Sequence, residues 1–377
     1  MQLAEALELK DEYLRNYTAN YVSKEYQSSS LSAIMEAIAA STPSDRLAMG
    51  LSSASGIKSG SEKDSFRLEL RVQRTDGPAF REAERIAKEV KGEARIRVLP
   101  RVSFPSLAML LESMRNLGSF PDPTQPLQLG DPVRCNRAGA GTLGGFVTMP
   151  KGPGLISSSH VIAAYASGIE PGTGDLIYRP KKGGGVMRSS AEVAKLTDWN
   201  VLDAATGNTI DAAFADLKLN QAYAGNIIPS APQIPSALHR RKLTALPPAT
   251  SDEIRQQFRQ ENFRLLNQRV AKLGASTGYT EGIISGALID GITAHHTKLG
   301  AITYLNVFEI EPVDRVEFTL PGDSGSAVFL PDTMEVIGLH FASADALDEN
   351  NSSLGFRVSY ACSIQTVFSE FAEYQWM

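Results

Sequence analysis

The stretch Leu320-Pro321-Gly322-Asp323-Ser324-Gly325-Ser326-Ala327-Val328-Phe329 constrains this chain more than any other. Pro321 with Gly322 and Gly325 demands a tight turn, and the apolar run after Ser326 reads as a buried strand. Such a turn can aim consecutive backbone N–H groups into one small space. A serine hydroxyl beside them can attack a carbonyl, and those N–H groups can receive the oxyanion that forms. A glycine-rich hairpin in any β protein would look the same. The turn acquires chemical meaning only if the chain also supplies a base, an orienting acid and a β scaffold.

A base is available upstream. Gly139 to Thr148 has the glycine and β-branched mixture of closely packed strands, Lys151-Gly152-Pro153-Gly154 is a turn, and Leu155-Ile156-Ser157-Ser158-Ser159-His160-Val161-Ile162 follows. His160 ends a polar triplet and opens an apolar, helix-compatible run. An acid is available in Thr209-Ile210-Asp211-Ala212-Ala213-Phe214-Ala215-Asp216-Leu217. Asp211 is the favoured carboxylate, with Asp203 and Asp216 as rivals. Asp216 lies five residues later, which on an extended strand turns it to the opposite face.

These segments together resemble the trypsin-like serine proteases. The histidine box matches through Gly141, Thr142, Gly144, Phe146, Val147, His160 and Val161, with Ser158-Ser159 as a small departure. Asp211 matches the aspartate box, and Val270 to Gly282 resembles the "Val-x-Lys-x-Gly-x-x-Thr-Gly-x-Thr-x-Gly" segment of the second barrel. The order His, Asp, Ser is that of chymotrypsin and differs from the Ser, Asp, His order of α/β-hydrolases, whose elbow would also need a glycine where Ser326 stands. The resemblance covers about residues 130–374. It implies His160 as general base, Asp211 as its orienting acid, Ser324 as nucleophile, and the N–H groups of Gly322 and Ser324 as the oxyanion hole, with no cofactor and no metal.

The same resemblance bears on specificity and control. Gly338-Leu339-His340-Phe341-Ala342-Ser343 resembles the pocket strand of glutamyl endopeptidases and viral 3C-like proteases. This implies that His340 with Ser343 favours Glu, Asp or Gln before the cut, with small residues as the alternative. Phe318 stands where trypsin carries its pocket aspartate, so Arg/Lys specificity is not expected. Phe341 replaces a serine that often contacts the aspartate of the triad. No "Ile-Val-Gly-Gly" start is visible to pair with Asp323, which is therefore expected to be satisfied internally and is the candidate for regulation.

Around this lies an α+β chain. Residues 1–45 read as helical, with periodicity in 2–27 and 31–40. Residues 46–125 read as a ββαβ unit, a further helix over 104–117 and a proline-rich linker at 120–126, with the arginines of the alternating strands on solvent faces. Residues 126–377 form the double β-barrel, one barrel over 127–228 and the other over 268–377. Between them 229–267 is a crossover with a helical insertion expected over 252–268, and a last helix is expected over 364–374.

A net charge of −5 gives no reason to expect nucleic acid, and no apolar run reaches a membrane span. Two cysteines, Cys135 and Cys362, point to a reducing, cytoplasmic setting rather than a disulfide framework. His295 and His296 are adjacent on a strand and so face opposite ways, which argues against a shared ion. Protein or peptide is the expected substrate, with a regulatory partner acting through residues 1–125. The rival readings are a protease-like binding module and an esterase using the same triad.

Overall fold

The computed structural model describes residues 1–21, 46–53, 65–100, 102–103, 125–135, 140–163, 170–180, 190–245, 263–296, 298–313 and 317–377. The helices expected over 31–40 and 104–117, and the one over 252–268 up to residue 262, lie outside the described residues.

The chain opens with a helix, Leu3–Tyr21, whose Leu14 and Tyr17 are buried and whose Lys10 ammonium reaches the Asp290 carboxylate at 2.5 Å. The ββαβ unit follows as β1 (Ala48–Ser53), β2 (Phe66–Val72), a helix Pro78–Glu89 and β3 (Ala94–Val98). Pro78 starts that helix, where its missing N–H costs nothing. β1 and β2 are antiparallel, and β2 and β3 parallel, with the helix as crossover. A short β4 (Val102–Ser103) comes next.

The first barrel uses β5 (Pro132–Cys135), β6 (Gly141–Thr142), β7 (Gly145–Met149), β8 (Gly152–Ser157), β9 (Leu176–Pro180), β10 (Ser190–Trp199) and β12 (Ala213–Leu217), while β11 (Gly207–Asn208), from the same stretch of chain, pairs into the other sheet. β6 and β7 are two stretches of one course of chain. β6 pairs with β5 and β7 with β8, and the ladder continues through β12, β10 and β9 back to β5. That closes a barrel and leaves no free edge along the ring.

A crossover carrying β13 (Thr244–Ala245) leads to the second barrel. Its strands are β14 (Arg269–Gly274), β15 (Gly278–Asp290), β16 (Ile292–His296), β17 (Gly300–Tyr304), β18 (Val307–Pro312), β19 (Ala327–Phe329), β20 (Glu335–Leu347) and β21 (Ser353–Ser363). The ring β14–β15–β18–β21–β20–β19–β14 closes through antiparallel pairs. The helix Ile364–Glu370 and β22 (Gln375–Trp376) then return to the first barrel, where β22 pairs with β7. The α+β class and the double barrel are thus those expected from the sequence.

The ββαβ unit shares the sheet of the second barrel. β1 pairs with β15 at Leu51–Ala287 and Met49–Asp290, and β3 meets β20 at Val98–Leu347. One hydrophobic cluster runs from Leu68 and Leu70 of β2 to Ile310, Phe318 and Val328 of the barrel. Each such fully buried side chain contributes roughly 2 kcal/mol.

Here the structure corrects the expectation of solvated arginines. Arg71 and Arg97 are buried on Glu309 of β18, which is fully enclosed. Arg71 makes two 2.7 Å bonds to the Glu309 carboxylate, Arg97 adds one at 2.9 Å, and the Tyr360 hydroxyl donates a further one at 2.7 Å. The polar alternation of β2 and β3 marks a second buried face, because a barrel wall covers the side that water would otherwise take.

Candidate active site

His160 lies in the single helical turn Ser159–Ile162 directly after β8, and burial of Val161 and Ile162 fixes the orientation of that turn. Asp211 precedes β12 between the buried Ile210 and Ala212. Asn200 clamps this segment: its amide donates to the Ile210 carbonyl at 2.9 Å, and its side-chain oxygen accepts the Ala212 N–H at 2.7 Å. The Asp211 carboxylate meets His160 twice, at Nδ1 over 2.6 Å and at the backbone N–H over 3.1 Å. Burial alone would raise the Asp211 carboxyl. The adjacent imidazole and the hydrogen bonds outweigh it and hold the acid below its ordinary value.

A further group reaches this acid from the other barrel. The Tyr304 hydroxyl, on β17, donates to Asp211 Oδ2 at 3.2 Å, and its ring lies 4.2 Å from that of Phe341. Phe341, where the resemblance led to the expectation of a serine beside the aspartate, instead packs on the Tyr304 ring, and the Tyr304 hydroxyl makes a contact to Asp211. Nothing local in the sequence marks Tyr304. The departure at Phe341 bore on the surroundings of Asp211 but pointed to no particular residue.

Ser324 sits in the second of two successive turns. The first has Pro321 and Gly322 at its centre, Gly322 with φ +107°, and is closed by the Asp323 N–H onto the Leu320 carbonyl at 3.0 Å; the second has Ser324 and Gly325 at its centre, Gly325 with φ +91°, and is closed by the Ser326 N–H onto the Asp323 carbonyl at 3.0 Å. Thr142 of the first barrel holds the turn from outside: its hydroxyl donates to the Gly322 carbonyl at 2.8 Å and its N–H to the Ser324 carbonyl at 2.8 Å. With both carbonyls drawn away, the Gly322 and Ser324 N–H groups donate to no other group among the described residues.

The Ser324 hydroxyl donates to the Phe341 carbonyl at 3.3 Å. A bulge in the β20–β21 ladder between His340 and Ala342 makes this geometry available by breaking the strict alternation of the strand. The His340 carbonyl joins the two halves of the site. It accepts the Gly325 N–H at 2.8 Å and the Ser158 hydroxyl at 3.1 Å.

Asp323 is turned inward and fully buried. Its carboxylate pairs with the Lys272 ammonium at 3.1 Å and accepts the N–H groups of Ser276 (2.8 Å), Thr277 (3.2 Å) and Leu320 (2.9 Å) and the Thr277 hydroxyl (2.8 Å). Burial opposes both charges. On Asp323 it is outweighed by Lys272 and these donors, so the acid is held low. On Lys272 it dominates, so the ammonium is lowered despite its partner. Lys272 lies in the Val270 to Gly282 segment, and nothing in the residues around it marks its pairing with Asp323, 51 positions away.

The three pocket candidates differ in placement. Phe318 is enclosed, with the Lys272 ammonium 5.6 Å from its ring centre. His340 is buried with Nδ1 3.1 Å from the Tyr360 carbonyl, and burial, with the nearby Lys272 charge, pushes its imidazole down to about 3. Ser343 lies further along β20, opposite Ser103 of β4.

Cys135 and Cys362 are buried and unpaired with each other. No cluster of three or more metal-ligating side chains occurs among the described residues, and no helix among them is long and apolar enough to cross a membrane. A separate open cavity of about 570 Å³ lies between Gly130–Asp131 and Leu273–Ala275, lined by none of the expected site residues.

No protein-family model matches this chain, and no curated protein matches it in sequence. Solved structures do match in shape. Nocardiopsis protease (NAPase) aligns at TM-score 0.40 and 13% identity over 67% of this chain and 98% of its own. Thermobifida fusca protease A gives the same TM-score and identity, also over 67% of this chain and 98% of its own. A glutamic-acid-specific serine protease that uses a histidine triad in substrate binding aligns at TM-score 0.41 and 12% identity, over 67% of this chain and all of its own.

Proposed function

We propose that this chain is a serine peptidase acting through His160, Asp211 and Ser324. The observation that carries the reading is the 2.6 Å contact of Asp211 with His160 Nδ1, in a fold that presents Ser324 and two undirected N–H groups on the facing barrel. The reading requires the Ser324 hydroxyl, which donates to the Phe341 carbonyl at 3.3 Å, to leave that carbonyl and meet His160 Nε2. The serine oxygen then attacks the scissile carbonyl and His160 takes its proton. Asp211 accepts the Nδ1–H and stabilises the imidazolium, and the Gly322 and Ser324 N–H groups receive the oxyanion. His160 next protonates the leaving amine as the C–N bond breaks. A water, activated by the same imidazole, releases the acyl group and restores Ser324.

The residue before the cut is read through His340. Its Nδ1 faces a carbonyl, which can only accept, so the proton sits on Nδ1 and a neutral ring leaves Nε2 as an acceptor. An acceptor suits the NH₂ of a glutamine or a hydroxyl donor and repels a carboxylate. The reading therefore narrows Glu, Asp or Gln to Gln.

A fluorophosphonate probe tests the nucleophile. Wild type should label and Ser324→Ala should not, and absence of labelling in the folded full chain would return the protein to the class of binding modules. Cleavage of peptides rather than simple esters alone separates a peptidase from an esterase.

A further inference from the structure

The polar triplet Ser157-Ser158-Ser159 before His160 takes no part in the chemistry above, yet all three side chains are fully buried. A buried hydroxyl is costly unless it is hydrogen-bonded. Each of these three donates to a different backbone carbonyl. Ser157, the last residue of β8, donates to Thr142 at 2.8 Å, Ser158 to His340 at 3.1 Å and Ser159 to Asn200 at 2.8 Å.

Ser158 stands at the N-cap of the helical turn Ser159–Ile162, in extended backbone with φ −66° and ψ 145°. A serine there ordinarily accepts a backbone N–H from the second or third residue of the helix. This one makes no such bond. The N–H of the second residue, His160, goes instead to Asp211 Oδ1 at 3.1 Å. The acid thus takes over the capping role, and the Ser158 hydroxyl is released to reach the second barrel. Its acceptor, the His340 carbonyl, also receives the N–H of Gly325, the residue after Ser324. Ser159 turns the other way. Asn200, whose carbonyl it meets, is the residue that brackets Asp211 through Ile210 and Ala212.

We infer that Ser158 and Ser159 are positioning residues of the triad: Ser159 sets His160 against Asp211, and Ser158 sets it against Ser324. One circuit of bonds runs from Ser159 through Asn200 and Asp211 back to His160. A second runs from Ser158 through the His340 carbonyl and Gly325 to Ser324, and it crosses from one barrel to the other. The two residues before the base thus tie its backbone to both of its partners. This deepens the proposed peptidase reading and rests on it. Removing either hydroxyl leaves the fold supported. Ser158→Ala leaves the His340 carbonyl its bond from the Gly325 N–H, and Ser159→Ala leaves a half-buried Asn200 that water can reach.

The test follows the second-order rate of fluorophosphonate labelling of the full chain from roughly pH 5 to 9, with urea unfolding alongside. His340 and His296, whose charges act on His160, are pushed down by burial to about 3 and about 4, so over this range the midpoint reports His160 facing Asp211. One hydrogen bond is removed in each variant. Ser158→Ala should lower the plateau rate roughly three- to tenfold with the midpoint unmoved. Ser159→Ala should lower the rate and move the midpoint down by about 0.5 pH unit, because an acid set less firmly against the imidazole stabilises the imidazolium less. A hydroxyl that serves the fold alone would lower the urea midpoint and leave labelling of the folded protein as it was. Labelling within twofold of wild type in either variant would therefore overturn the role of that serine, with Ser324 still the nucleophile. An unmoved midpoint in Ser159→Ala would overturn its tie to Asp211. Absence of labelling in the wild type removes the peptidase reading, and the inference with it.

Discussion

The Tyr304 hydroxyl donates to the same oxygen of Asp211, Oδ2, that faces His160 Nδ1. The acid of the first barrel is thus oriented by a residue of the second. Tyr304→Phe keeps the ring against Phe341 and removes only this bond. A hydrogen bond to a charged group contributes about 1.5–3 kcal/mol, so kcat should fall roughly 10-fold or more with KM little changed. With one donor gone the carboxylate becomes more basic and stabilises the imidazolium further. The acid limb of the kcat/KM profile should therefore move to higher pH, a shift that a purely structural residue would not produce.

Lys272 neutralises Asp323 inside the protein. Lys272→Met leaves a buried carboxylate with its backbone and hydroxyl donors but no counter-charge. Loss of one member of a buried pair costs roughly 3–5 kcal/mol, and the Ser324 turn built on Asp323 should lose its geometry as well. Denaturant unfolding should show the stability loss and a fluorophosphonate the loss of labelling. Lys272→Met combined with Asp323→Asn should recover part of the stability.

Acid should destabilise this fold through two histidines. Burial pushes His340 down to about 3 and His296 down to about 4, whereas both titrate near 6.5 when unfolded. As pH falls below 6.5 the unfolded chain takes up these protons and the folded chain does not. Their contribution is therefore complete above 6.5 and is lost as pH falls toward 4 and then 3, at up to ~1.4 kcal/mol per pH unit for each group. Urea midpoints between pH 7 and 4.5 should fall with pH, and His340→Gln should flatten that slope by about one proton.

The arginines of the ββαβ unit hold Glu309 in its charged form. Burial would raise this carboxyl, yet Arg71 and Arg97 outweigh it and keep it well below the usual range. A chain beginning at residue 126 strips both arginines from Glu309 and exposes the edge of β15 that β1 covers. It should be insoluble or unfolded by circular dichroism. Arg71→Met in the full chain should cost about 3–5 kcal/mol of stability, measured by urea unfolding.

The sequence determined the elements whose meaning is local. Pro321, Gly322 and Gly325 dictate a turn wherever they stand, and the alternation of β2 and β3 dictates strands. The order of the His160, Asp211 and Ser324 segments followed from matching short motifs. Other features depend on residues far apart in the chain, and no short-range pattern encodes them. Tyr304 reaches Asp211 across 93 residues, and Arg71 reaches Glu309 across 238. The alternating arginines were legible as one face of a strand, but whether water or a carboxylate covers that face is set by which wall the fold places there. Likewise, Val102 and Ser103 carry no signal of their own. Only the tertiary fold pairs β4 with both β16 and β20, because strand partners are chosen by the sheet as a whole and not by the two residues themselves.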